Sequence, residues 1–205
     1  MYTIERVVNG ILEENCWFIT NLATGHCVAI DPGDEAGALI AALGKRVLDG
    51  VLLTHGHFDH VGAAEELADY GSALVYVHAD EVDLLAWAPE NARQLGVGEI
   101  DAPVPDLTFT DGEELQVGEF CFTVIHTPGH TTGSSCFLLR DSQDGCQHLF
   151  SGDTLFHHDI GRTDFPESAP QLMASSLLKL AALDPETLVY PGHGSTTTIG
   201  EELAQ

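Results

Sequence analysis

Apolar and polar positions change period several times along the chain, and each change marks an expected element. Near the N-terminus the runs YTIERVV, NCWFIT and HCVAID are β-type, and the turn-like NLATG joins the last two, which predicts a strand meander. The period then lengthens. DEAGALIAALGK carries apolar residues at helical spacing with acidic residues expected in its first turn, and GVLLT reads as a short buried strand. VGAAEELADYG puts Val61, Ala64, Leu67 and Ala68 on one helical face and closes on Gly71, SALVYVH returns as a strand, and ADEVDLLAW is a helix. APENARQLGVGEIDAPVPD, with three prolines and no clean periodicity, is expected to be a loop or lid.

The second half repeats the sequence of strands and then helices. TFTDGEELQVGEFCFTVIHT reads as strands around turns at Asp111-Gly112 and Gly118, and SSCFLLR and CQHLFSGD follow as strands. APQLMASSLLKLAAL is the longest amphipathic helix, and TLVYPGHG ends a last strand before a short IGEEL helix. This order predicts an α/β (αββα) sandwich, two mixed sheets packed face to face with helices outside, in a single domain over residues 1–205.

Composition narrows the class. The chain is 44% hydrophobic, so a sizeable core can be buried, and neither a signal-like leader nor a bilayer-length apolar run is visible, which predicts a soluble cytoplasmic protein. Five cysteines without a CxxC pair read as small buried hydrophobes in a reducing compartment. Against 32 acidic residues stand only 7 basic ones, a net charge of -25 that argues against nucleic-acid or anionic-membrane partners.

Ligand-type residues gather in short loops after strands. THGHFDH supplies His55, His57, Asp59 and His60, HTPGHT supplies His126 and His130, SGDT supplies Asp153, and YPGHG supplies His193, each close to glycine that lets the backbone turn sharply. Four such loops at strand ends are expected to converge at one edge of a sandwich. Imidazole and carboxylate without cysteine suit zinc, iron or manganese. His55 and His57 can share one ion while Asp59 and His60, nearer a helix start, reach another. The seven candidates His55, His57, Asp59, His60, His130, Asp153 and His193 exceed one tetrahedral shell, and two ions account for them all.

In order and approximate spacing, THGHFDH, TPGHT, SGDTLF and PGHG, together with the early IDPG, resemble the signature of the metallo-β-lactamase superfamily from about residue 12 to 200. The resemblance implies two divalent metal ions, zinc first, with iron or manganese also accommodated. By motif position His55, His57 and His130 hold the first, Asp59, His60 and His193 the second, and Asp153 bridges them. It further implies that a water shared by the ions attacks a carbonyl, with Asp59 and Asp153 among the catalytic groups. IGRTDFP resembles a segment of the glyoxalase II group, and the ending soon after His193 resembles its short bacterial type without a C-terminal helical domain. The implied activity is a glyoxalase II-like thiolester hydrolase, and the implied partner is a small-molecule substrate, an acyl thioester such as S-lactoylglutathione or another glutathione conjugate.

Arg162 in that segment is a candidate for a substrate carboxylate, or else a partner of Asp159 or Asp164 that orders its loop. Asp31 either orients a ligand histidine or caps the helix beginning near Asp34. His126, His157 and His158 fall outside the ligand set. The alternative activity is a glutathione persulfide dioxygenase with one iron on His55, His130 and Asp153; a non-enzymatic metal-binding module is the third reading. The strong acidity has two readings, simply an acidic, soluble enzyme or adaptation to a high-salt cytoplasm, where a dense acidic surface keeps a protein hydrated. On the second reading the melting temperature rises with KCl concentration in a thermal scan, and a flat or falling trend contradicts it.

Overall fold

The computed structural model describes residues 2–141 and 145–204. Strands β1 (Tyr2–Asn9), β2 (Glu14–Asn21) and β3 (His26–Ile30) form the expected meander, followed by helix α1 (Ala36–Leu43) and strand β4 (Val47–Leu52). Next come α2 (Phe58–Val61), α3 (Ala64–Gly71), β5 (Leu74–His78), α4 (Val82–Gln94) and β6 (Leu107–Phe109). The second half holds β7 (Glu114–Val117), β8 (Phe120–His126), β9 (Ser135–Arg140), β10 (Gln147–Gly152), the short pair β11 (Leu155–Phe156) and β12 (Asp159–Ile160), α5 (Pro170–Ala181), β13 (Leu188–Pro191), β14 (Thr197–Thr198) and α6 (Ile199–Leu203).

Two mixed six-stranded sheets result, in the orders β1-β2-β3-β4-β5-β6 and β14-β13-β10-β9-β8-β7. In the first, β3 to β6 run parallel; in the second, β10 and β13 do. Buried strands show why the apolar runs are almost unbroken: successive side chains leave opposite faces, and both faces are covered. Trp17 and Ile19 of β2 point between the sheets, where they join Ile30 and Leu52 against Phe120, Phe122, Phe137 and Phe150. Cys16 and Phe18 of the same strand face the helices, packing with Leu39, Leu67, Leu85 and Ala88. A third cluster buries Leu138, Leu149 and Val189 under Leu180 of α5 and Ile199 of α6.

Four expectations need correction. The stretch expected as a loop from residue 88 begins as helix, because α4 continues through Pro89 to Gln94. Pro89 removes one helical hydrogen bond, but buried Leu85, Ala88 and Ala92 keep a helical seam against the core, and that burial prevails over local propensity. The motif loop is shorter than expected, since Phe58–Val61 already form a helical turn that places Asp59 and His60 on helix. The turn breaks before α3 at Gly62, where a Cβ would press on the Gly33 carbonyl. In α1 the acidic residues precede the first turn, and the left-handed Glu35 occupies the N-cap position without a side-chain cap. Finally, β6 belongs to the first sheet, parallel to β5, rather than to the second-half meander.

Cys16, Cys27 and Cys136 are buried as expected, whereas Cys121 and Cys146 are exposed; no disulfide joins described residues. No helix among the described residues is long and apolar enough to cross a membrane.

Candidate metal centre

All the motif loops leave the same edge, the carboxyl ends of β4, β8, β10 and β13, which is where open α/β sheets place ligands. The two sheets touch there through a glycine: Gly152 ends β10 with φ 48°, and any Cβ on it would collide with the Thr54 side chain at the end of β4. Gly192 is equally constrained, because a Cβ would strike the Asp153 carboxylate and approach His60 Cε1 to 2.6 Å. The last loop is clamped from the opposite sheet, with the Asn15 amide donating to the Gly192 carbonyl at 2.7 Å and Trp17 Nε1 to the Pro191 carbonyl at 3.0 Å.

Three imidazoles meet first. His57 Nδ1 lies 3.1 Å from His55 Nε2 and 2.9 Å from His130 Nε2. A second group forms alongside: His193 Nε2 is 3.4 Å from Asp59 Oδ2, and His60 Nε2 is 3.8 Å from the same oxygen. Asp153 stands between the groups, 3.4 Å from His60 Nε2, 3.5 Å from His130 Nε2 and 3.7 Å from His193 Nε2. Among the sets of ligand atoms close enough to hold an ion are two built wholly from the expected residues, His55, His57 and His130, and Asp59, His60 and His193.

The outer nitrogens decide which inner atoms carry lone pairs. His130 Nδ1 faces the Arg162 carbonyl at 2.8 Å, His193 Nδ1 faces the Leu12 carbonyl at 3.1 Å, His57 Nε2 faces Glu167 Oε1 at 2.9 Å and His60 Nδ1 faces Asp31 Oδ2 at 3.0 Å. Carbonyls and carboxylates only accept, so each of these nitrogens bears the hydrogen. Thr54 Oγ1 donates its single hydrogen to Asp31 at 2.5 Å and therefore accepts from His55 Nδ1 at 3.0 Å. With the imidazoles neutral, as metal binding requires, every inner nitrogen is thus left with a lone pair pointing at other lone pairs and two carboxylates. Such a set is stable around cations, and the pattern of committed outer hydrogens is that of metal-bound histidine.

Of three buried side-chain atoms without a hydrogen-bond partner among the described residues, Glu14 Oε1 and two in this cluster, the latter two make the same point. His60 Nε2 and Asp153 Oδ1 are buried without a hydrogen-bond partner, a costly arrangement unless a cation satisfies both. Charges agree: burial and the neighbouring His60 and His57 drive the His55 imidazole well below its ordinary pKa, and burial takes His130 down to about 4. Burial would also lower His60, but Asp153 and Asp59 outweigh it and hold that imidazole well above the usual range. For Asp59 and Asp153 burial works upward, and His60 beside them overrides it to keep both below ordinary carboxylates. The donor set therefore fits divalent cations.

Arg162 is not brought into this cluster by its side chain. Its guanidinium makes two 2.9 Å bonds to Asp164 and lies over Phe165, both charged partners are exposed, and only its carbonyl reaches His130. Asp31 does not cap α1; it accepts from the Thr54 amide and hydroxyl and from His60. His126 stacks on His78 instead of joining the ligands, and His157 and His158 are exposed. Sequence reasoning missed Glu14, Glu81 and Glu167. Glu167 holds His57, and buried Glu14 has an oxygen 3.9 Å from His60 Nδ1. In a chain this acidic, no compositional signal distinguishes them.

A family model described as the metallo-beta-lactamase superfamily matches residues 9–193. The hydroxyacylglutathione hydrolase GloC of Haemophilus influenzae is 38% identical, over 97% of this chain and 94% of that protein. Among solved structures, BLEG-1 B3 metallo-beta-lactamase is 36% identical with a TM-score of 0.90, covering 99% of this chain and 97% of that one. TTHA1623 in a di-iron-bound form is 37% identical with a TM-score of 0.86, covering 97% and 96%. ETHE1 from Myxococcus xanthus is 28% identical with a TM-score of 0.78, covering 98% of this chain and 81% of that one.

The crowding at Gly192 gives a direct test. Gly192→Ala should lower bound metal and reduce catalytic efficiency by at least about 100-fold, the scale of a 1 Å misplacement, while the circular dichroism spectrum stays native. Unchanged metal content would show that His60 and Asp153 do not hold an ion in this geometry.

Proposed function

The chain belongs to the metallo-β-lactamase superfamily, and we propose that within it this metallo-hydrolase cleaves an acyl thioester, S-lactoylglutathione or a similar acyl-glutathione, at a two-metal centre. His55, His57 and His130 would hold one ion, Asp59, His60 and His193 the other, and Asp153 would lie between them. Divalent ions bound there supply a lowered pKa for water and an electrophile for the developing oxyanion.

The protein's own part is arrangement. Asp31, Thr54, Glu167 and the carbonyls of Leu12 and Arg162 lock five imidazoles with their lone pairs inward, so no reorientation is needed when substrate arrives. Asp59 and Asp153 stay ionised, held low by His60, which keeps the site acceptor-rich. Hydrolysis consumes one water and yields a carboxylic acid and a thiol. At the mouth, Ile11 and Leu12 on the β1-β2 turn are exposed beside His193, an apolar lip against which the substrate can rest. Arg162, already paired with Asp164, acts as an ordering contact for the loop that carries the His130 acceptor.

The observation that carries the two-metal reading is the second complete trio, Asp59, His60 and His193, with its own committed outer nitrogens. Similarity to GloC supports the thioester substrate. The ETHE1 neighbour supports the second reading, a persulfide dioxygenase using one iron at His55, His130 and Asp153.

Activity separates them. Purified protein should hydrolyse S-lactoylglutathione without consuming oxygen, and both His57→Ala and Asp153→Ala should lose at least about 100-fold in kcat/KM while remaining folded. Oxygen uptake on glutathione persulfide with no thioester hydrolysis would favour the dioxygenase. Near-normal activity in either variant would show that the ligand assignment is wrong.

A further inference from the structure

One buried carboxylate has no place among the seven ligands and yet ties their loops together. Glu81, fully buried just before α4, accepts the Gly56 amide through Oε2 at 2.7 Å. Its other oxygen accepts the Gly133 amide at 2.6 Å and the Thr131 hydroxyl at 2.8 Å. Gly56 lies between His55 and His57, and Thr131 directly follows His130. A single side chain therefore spans the two loops that deliver all three imidazoles of the first trio.

The surroundings are built for this span. At Gly133 a Cβ would come within 2.7 Å of Glu81 Cγ and 2.8 Å of Oε1, and at Gly56 within 2.8 Å of the Leu85 nitrogen in the first turn of α4. Both loops are glycine where they close around the carboxylate and the helix behind it. Burial pushes the Glu81 carboxyl upward, and the three donors work against that rise. An ionised carboxylate accepts from all three donors and donates to none, so each bond is available without rearrangement.

We propose that Glu81 is a positioning residue for the ion held by His55, His57 and His130, fixing the separation of the two loops so that His57 Nδ1 remains 3.1 Å from His55 Nε2 and 2.9 Å from His130 Nε2. The inference rests on the reading of that trio as a ligand set. Its hydrogen bonds go to Gly56, Thr131 and Gly133, beside the ligands of the first trio, and none of the three goes to a residue adjacent to Asp59, His60 or His193. A glutamine there keeps the volume but offers one oxygen and an NH2 group, so at least one of the three donors faces another donor.

The test is a stepwise zinc titration of the metal-stripped chain in competition with a chelating dye, alongside melting curves of the metal-free variants. Glu81→Gln should weaken one of two binding steps by about 10–100-fold, the scale for an outer partner of a metal ligand, and leave the other step unchanged. Thr131→Val, which removes one donor of three, should weaken the same step less, and it carries the test if Glu81→Gln does not fold. Two unchanged steps overturn the inference. So does a parallel loss in both steps that tracks a fall in metal-free melting temperature, since that is a purely structural role. If His57→Ala titrates like the unaltered chain, the ligand reading itself fails, and this inference fails with it.

Discussion

Everything at the sheet edge follows from the commitment of five imidazole hydrogens to outward partners. Carbonyls and carboxylates cannot donate, so the acceptors behind His57, His60, His130 and His193 fix the tautomers, and Thr54, whose own hydrogen goes to Asp31, fixes His55. What remains inside is a concentration of lone pairs and two carboxylates that repel one another. Asp153 and Asp59 favour a proton on His60, but that proton serves one imidazole and leaves the inward nitrogens of His55, His57 and His130 facing one another. Divalent cations satisfy the whole arrangement at once.

The fold exists to make that repulsive set affordable. Three cores, one between the sheets, one under α1, α3 and α4 and one under α5 and α6, bury most of the large apolar side chains, so the edge loops are held by a scaffold stable on other grounds. Glycines at 152 and 192 let loops from different sheets approach where any side chain would intrude. Asn15 and Trp17 of the first sheet hold the loop that carries His193 on the second. The site is thus a product of packing between sheets, and neither sheet contains it alone.

Much of this was legible in the chain. Alternating and continuous apolar runs marked the longer strands, because burial on one or both faces leaves a distinct pattern, whereas the two-residue β11, β12 and β14 are too short to leave one; the HxHxDH loop was visible since its candidate ligands are neighbours. Helix α4 was not legible beyond Trp87: Pro89 and the polar residues around it hide a seam, Leu85, Ala88 and Ala92, whose meaning depends on the core it meets. Glu14, Glu81 and Glu167 were invisible for a different reason. Their roles lie in partners such as His60, Thr131 and His57, 46, 50 and 110 residues away, and nothing local sets them apart from 29 other acidic residues. Asp31 posed a choice between cap and histidine partner that only the return of β4 beside β3 resolves.

The account stands on the claim that this constellation is built for two cations. Elemental analysis of the purified chain, with protein concentration measured independently, tests it most directly. Close to two divalent ions per chain, falling to one in His193→Ala, is the predicted result. One ion per chain that persists undiminished in His193→Ala would contradict it.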